Sequence, residues 1–184
     1  MRYLRVIVMM GLCLAAVRPV SAQVSFNVAG LYIILSGNDF QGTNGGIGGD
    51  AQVRFRLAPS PVTLGIGGQY TTHSIDNIQP NANVWGVFLE PRLGFASGAG
   101  PIKPYLGARG AYLHQSTSQG GNTASADGIL IGGGGGLLIG LGGVNLDIGA
   151  LVALANFGEV KINGSGTGFK PNGTAIALRA GIQF

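Results

Sequence analysis

The sequence predicts an all-β protein, an eight-stranded antiparallel up-and-down transmembrane β-barrel preceded by a cleavable signal peptide. Three observations predict it: apolar residues recur with period two in one segment after another, glycine is abundant at 35 residues, and only 10% of residues are charged. A water-soluble domain usually carries about a quarter charged residues. After residue 22 no apolar run approaches the roughly 20 residues of a spanning helix, whereas barrel strands dilute their apolar residues by alternation.

The first segment reads as a targeting signal. Arg2 and Arg5 form a positive start, residues 6–17 are mostly apolar, and Val20-Ser21-Ala22 is the small-residue pattern cut by a signal peptidase, so cleavage after Ala22 is expected. Cys13 follows the large Leu12, unlike a lipid-attachment site. Residues 1–22 hold Arg2, Arg5 and Arg18; their loss leaves eight of the eleven basic residues against seven acidic ones, a net charge of +1. No basic run survives, which argues against a nucleic-acid partner, and the only cysteine departs with the signal. The remainder, 23–184, is expected to form one barrel domain, since no Pro- or Ser-rich linker divides it.

Period-two reading gives strands at roughly 23–36, 49–58, 62–75, 82–97, 102–117, 125–141, 144–162 and 173–184. The last is the cleanest: Ile176, Leu178, Ala180, Ile182 and Phe184 alternate with Ala177, Arg179, Gly181 and Gln183. The second sets Ala51, Val53, Phe55 and Leu57 against Gln52, Arg54 and Arg56; the third sets Val62, Leu64, Ile66 and Tyr70 against Thr63, Gly65, Gly67 and Gln69. In the seventh, Leu146, Ile148, Ala150, Val152 and Leu154 oppose Asn145, Asp147 and Gly149.

Connections supply a second signal. Residues 58–61, 97–101 and 141–143 are tight and turn-rich, while 37–48, 76–81, 118–124 and 163–172 are longer or more polar. Barrels of the bacterial outer membrane keep short turns on the periplasmic side and longer loops outside. The path then puts Phe26, Phe55, Phe95 and Phe184 at one interface and Tyr70, Trp85 and Tyr112 toward the other, all outward by parity. Two aromatic belts are expected where lipid meets water.

The terminal strand ending in Phe184, the signal peptide, the strand Pro104-Tyr105-Leu106-Gly107-Ala108-Arg109-Gly110-Ala111-Tyr112 and the count of eight together make the chain resemble the OmpA/OmpX-like, opacity-type outer-membrane β-barrel proteins. The resemblance spans essentially all of 23–184. It implies a bacterial outer-membrane location, lipid and lipopolysaccharide as surroundings, and recognition of the last strand by the barrel assembly machinery. It implies little about activity, because members of this group differ in role.

On the inward face, parity places a lumen charge network of Arg54, Arg56, Glu90, Arg92, Arg109, Asp147 and Arg179, with Lys103 beside it. Eight strands enclose only enough room for side chains, so these groups are expected to pair with one another rather than conduct. Of the cluster at residues 132–136, Gly132, Gly134 and Gly136 face inward and leave space for bulky neighbours; no Lys-Ser/Thr follows, which removes a phosphate-loop reading.

His114 and Ser116 share the outward face of the fifth strand and resemble the His-x-Ser element of lipid A deacylases, although Thr117 stands where that family has Asn and Asp127 is only a nearest candidate for the acid. No metal or cofactor is expected: the histidines are His73 and His114, and Asp39, Asp50, Asp76 and Asp127 read as solvated loop acids. Asn163-Gly164-Ser165 and Asn172-Gly173-Thr174 read as turn chemistry. The expected function is non-enzymatic, in envelope integrity or adhesion through extracellular loops whose ligand is unknown; the alternatives are a narrow porin-like channel and a lipid A-modifying enzyme. A soluble lipocalin-like barrel is the competing fold, with too few charges to coat its exterior.

Overall fold

The computed structural model describes residues 23–57, 59–75, 78–95 and 100–184, with the side chains of 78–80 outside that description. The signal segment and its cut after Ala22 lie outside the described residues, as do Ala58, Asp76 and residues 96–99. Eight long strands form the wall: β1 (Val24–Ser36), β2 (Gly46–Arg56), β3 (Val62–Ile75), β4 (Ile78–Gly94), β5 (Ile102–Gln119), β6 (Asn122–Gly140), β7 (Asn145–Phe157) and, after a two-stranded excursion, β10 (Asn172–Gln183). That excursion is the short hairpin β8 (Lys161–Ile162) and β9 (Ser165–Gly166).

Each long strand pairs antiparallel with the next, and β1 pairs with β10 from Asn27 opposite Gln183 to Ser36 opposite Thr174, so the wall closes. The seam continues beyond the ladder, where Phe26 N donates to Phe184 O at 2.7 Å and Phe184 N donates to Phe26 O at 2.9 Å. A strand edge exposed to hydrocarbon finds no water for its amides and carbonyls, so closure is the only way a sheet can satisfy all of them there.

The period-two pattern decides which face is enclosed. Ile131 and Leu154 are 65% and 62% exposed on the outside, while Asp147 is wholly buried and Arg54 is 2% exposed. Val28, Ile66, Val87, Leu89 and Leu178 extend the apolar exterior around the wall. An apolar surface this continuous belongs in lipid, and the competing soluble barrel, which needs the opposite sidedness, is excluded.

Four segments depart from the sequence expectation, one of them the connection 76–81, which is shortened because β4 already begins at Ile78 and pairs it with Ile75. The seventh strand ends at Phe157 rather than 162; Lys161 and Ile162 instead turn at Asn163-Gly164, both with positive φ (50° and 85°), and pair with β9 and with Ala124 and Ser125 of β6. Residues 118–124 are no loose loop, since β5 and β6 stay paired to Gln119 opposite Asn122 around a two-residue turn at Gly120-Gly121, again both at positive φ. The glycine-rich stretch 37–48, expected as a free loop, contains the 3-10 turn Asn38–Phe40, bridges Thr43 to Ile75 and joins β2 at Gly46.

Phe40 is buried by that turn and meets Phe157 edge-on, with ring centroids 6.2 Å apart. It caps an apolar cluster that fills the loop-end half of the lumen, including Leu31, Ile33, Val84, Leu113 and Leu130. Asp39 holds the turn in place by accepting hydrogen bonds from the Asn172 backbone N–H at 3.0 Å and its side-chain Nδ2 at 3.1 Å.

Glycines on the inward face of β6 set the barrel's narrowness. A Cβ at Gly134 would collide with the Ala150 carbonyl oxygen and lie 2.8 Å from Leu151 Cα, while at Gly136 and Gly149 it would strike the Tyr105 ring hydroxyl at 2.5 and 2.6 Å. The column therefore lets β7 approach and gives Tyr105 a place inside. Replacing Gly134 with Leu is expected to cost at least about 1–3 kcal/mol through overpacking against backbone, and to reduce or abolish the heat-modifiable folded band on a gel. Normal folding of that variant would show that the close approach is not needed.

Candidate functional site: the lumen charge cluster and the loop-end dyad

Among the described residues, seven ionised side chains meet inside the turn-end half of the barrel, and six of them close a ring of alternating sign. Glu90 on β4 accepts from Arg109 Nε on β5 at 2.6 Å; Arg109 Nη2 reaches Asp50 on β2 at 3.0 Å; Asp50 accepts from Arg179 on β10 at 2.9 Å. Arg179 pairs with Asp147 on β7, Asp147 accepts from Arg92 on β4 at 2.9 Å, and Arg92 Nε returns to Glu90 at 2.6 Å. The seventh group, Arg54 on β2, donates through Nη2 to Glu90 alone.

Neutral groups complete the ring. Asp147 also accepts from Tyr105 Oη at 2.7 Å and Asn27 Nδ2 at 2.9 Å, and Gln69 Oε1 accepts from Arg109 at 3.2 Å. The guanidinium of Arg92 lies 3.9 Å above the Tyr105 ring centre, and that of Arg109 lies 3.9 Å above Phe88. Burial of charge is costly unless partners surround it on several sides, and planar guanidinium forks bridging two carboxylates meet that condition.

Between this ring and the neighbouring wall a cavity of about 40 Å³ remains, bordered by Glu90, Arg92, Tyr105, Arg179 and Leu31. That is room for a few waters at most. The apolar cluster beyond it closes the loop-end half, so the interior is blocked by two layers of different chemistry.

Of the groups read as lumenal, Arg54, Glu90, Arg92, Arg109, Asp147 and Arg179 lie in the cluster, whereas Arg56 and Lys103 sit exposed at the turn-end mouth. Parity carries Arg56 to the inward side, but its place at the last residue of β2 puts it in solvent. Asp50, read from sequence as a loop acid, is a buried ring member. Its parity with Gln52 and Arg54, within a strand already read as starting at residue 49, is the signal that finds it.

The aromatic residues Phe26, Tyr70, Trp85, Phe95, Tyr112 and Phe184 are exposed on the outer wall, and Phe55 is partly so. Phe26 and Phe184 stack at 6.2 Å across the seam, and Tyr70 faces Trp85 across the β3–β4 ladder. On the same outer face toward the loop end, His114 Nδ1 lies 2.8 Å from Asp127 Oδ1, directly opposite it in the β5–β6 register, with the Trp85 ring 5.4 Å away. Asp127 thus occupies the acid position of a His-acid dyad. Among the described residues, Ser116 makes no hydrogen bond to His114, and its register partner is Ser125.

No metal-binding group of three or more His, Cys, Asp or Glu occurs among the described residues. Asn163 acts in turn chemistry: its side chain accepts from Thr123 N at 2.9 Å and donates to Asn122 at 2.7 Å. Asn172 opens β10 and binds Asp39.

No family model and no curated protein matches the chain by sequence. Among solved structures it is similar to neisserial surface protein A, with a TM-score of 0.65 and 20% identity over 88% of this chain and 97% of that one. It is also similar to a major outer membrane protein from Thermus thermophilus, with a TM-score of 0.54 and 14% identity over 88% of this chain and 99% of that one. The chain has the fold of an outer-membrane β-barrel. In an outer-membrane β-barrel of eight strands the lumen is a packed interior, and here it is packed around a charge ring.

The ring gives a mutational contrast. Arg179→Gln breaks two ion pairs and leaves Asp50 and Asp147 each short of a cation, at an expected cost of about 3–5 kcal/mol in denaturant unfolding followed by Trp85 fluorescence. Arg54→Gln removes the cation outside the ring and is expected to cost distinctly less. Equal losses would show that the seven groups do not divide in this way.

Proposed function

We propose that the chain is a non-enzymatic protein of the bacterial outer membrane, whose barrel contributes to envelope integrity and whose loop end makes surface contacts. The observation that carries this reading is the doubly blocked lumen, an ion ring beneath an apolar cluster capped by Phe40. A molecule that passes nothing through its centre acts through its outer surfaces. At the loop end these are the extension of β5 and β6 beyond the wall and the β8–β9 hairpin laid against β6, a small polar sheet bearing Thr123, Lys161 and Ser165. Lipid and lipopolysaccharide would meet the apolar wall, and the β10 strand ending in Phe184 would be the segment read by the assembly machinery.

Two measurements test the reading. Planar-bilayer recordings of the purified protein are expected to show no large, steady conductance, and such conductance would establish the channel alternative. Replacing residues 159–168 with a short Gly-Ser linker is expected to leave a heat-modifiable barrel while reducing attachment to host cells or surfaces; unchanged attachment would remove that hairpin from the role.

A lipid A-modifying activity is the second reading, favoured by the His114–Asp127 pair on the outer face. It lacks the nucleophile contact, since His114 does not engage Ser116. Mass spectrometry of lipid A from cells with and without the protein is expected to give the same acyl pattern, and a lost acyl chain that returns in a Ser116→Ala strain would establish the enzyme.

A further inference from the structure

Four adjacent strands set four side chains next to one another on the outer wall at the loop-end boundary. Tyr70 on β3 stands opposite Trp85 on β4, Trp85 opposite His114 on β5, and His114 opposite Asp127 on β6. The Tyr70 hydroxyl donates to Asn83 Oδ1 at 2.9 Å, the Trp85 and His114 rings lie 5.4 Å apart at 41°, and His114 Nδ1 is 2.8 Å from Asp127 Oδ1. Tyr112 reaches the same carboxylate, and Lys161 on β8, opposite Ser125 in register, adds a cation near it.

A membrane boundary accounts for the rings but not for the rest of the row. Interfacial belts need only aromatic side chains, and the turn-end belt of Phe26, Phe55, Phe95 and Phe184 has no hydrogen-bonding group on any of its rings. The loop-end row adds an imidazole, a carboxylate, an amide and an ammonium, with the side chains of Asp127 and His114 54% and 30% exposed on the outside of the wall. Polar groups aimed outward from a lipid-facing wall are unfavourable unless something polar meets them. Because a carboxylate only accepts, Asp127 holds the His114 proton on Nδ1 and leaves Nε2 of the neutral ring as an acceptor.

We infer that this row is a binding site for the saccharide headgroup of a glycolipid in the leaflet around the loop end. A sugar ring presents C–H faces and hydroxyls together. The half-exposed rings of Tyr70, Trp85 and Tyr112 meet the first, since an aromatic face carries partial negative charge, and Asn83, His114 and Asp127 exchange hydrogen bonds with the second. The charges of Lys161 and Asp127 offset each other, so the row selects the sugar rather than a phosphate attached to it. This site presupposes the lipopolysaccharide surroundings proposed above. It needs no nucleophile, so the lack of contact between His114 and Ser116 does not bear on it.

Trp85, the single tryptophan of the sequence, stands in the row and reports which lipid lies beside it. In bilayers of phosphatidylcholine brominated close to the headgroup, a competing lipid restores its emission according to that lipid's preference for the site. Monophosphoryl lipid A, one phosphate on an acylated disaccharide, is expected to displace the brominated lipid about tenfold more effectively than phosphatidylglycerol, which carries one phosphate and no sugar. In the double variant His114→Phe, Asp127→Asn, which keeps a ring against Trp85, the two lipids are expected to compete alike. Heat-modifiable migration checks that this variant folds; should it not, Asn83→Ala takes its place, with the preference expected to fall about threefold. Equal displacement by the two lipids in the wild type, or an undiminished preference in the folded variant, would overturn the inference. Failure of the brominated lipid to quench Trp85 at all would remove the lipid contact of the wall, and the site with it.

Discussion

Everything in this molecule depends on a closed sheet enclosing charge and displaying hydrocarbon. Closure is demanded by the backbone, since a membrane offers no water to an open strand edge. Once the wall is closed with its apolar residues outward, whatever polar residues the strands carry are confined together, and they must satisfy one another. The alternating ring of Glu90, Arg109, Asp50, Arg179, Asp147 and Arg92 is the solution found here, drawing on five strands from around the whole circumference. It ties β2, β4, β5, β7 and β10 together across the lumen as the hydrogen-bond ladders tie them around it.

Such a ring needs a narrow barrel, and glycine provides it. With Gly134, Gly136 and Gly149 on the inner face, β6 and β7 carry no side chain there that would push Tyr105 away from Asp147. Toward the loop end the interior changes character: Leu31, Ile33, Leu113 and Leu130 replace the charges, and Phe40 is folded over them by a short turn pinned through Asp39. The turn end keeps its opening, with cations in excess. The barrel is thus asymmetric along its axis, blocked by an apolar cluster on one side and open as a basic basin on the other.

The sidedness of the strands was legible because it is written in parity: Arg179 among Ile176, Leu178, Ala180 and Ile182 can face only one way once the others meet lipid. The same rule located six members of the cluster. Asp50 was missed although its parity matches Gln52 and Arg54, because it stands beside the glycines at 48 and 49 at the very start of the strand read as 49–58, where a loop acid and a lumenal one look alike. The parity rule missed the apolar cluster because β1 and β7 are apolar on both faces near the loop end, as at Leu31-Tyr32-Ile33 and Ala153-Leu154-Ala155, and two apolar faces look the same from sequence. The two extra turns, Gly120-Gly121 and Asn163-Gly164, carried a recognisable hairpin signal, but the one was absorbed into a supposed loop and the next lay just past a strand drawn too long. Which acid stands opposite His114 is a matter of register that only the paired sheet reveals.

The sequence contains a single tryptophan, and Trp85 lies on the outer wall near the loop-end boundary beside Tyr70 and Tyr112. Its fluorescence in bilayers of brominated phosphatidylcholine reports directly whether that wall meets lipid. Strong quenching is the expected result, greatest when the bromines lie close to the headgroups, in protein whose barrel is folded by its heat-modifiable migration. A folded barrel whose Trp85 emission is untouched by brominated acyl chains at every depth would contradict it.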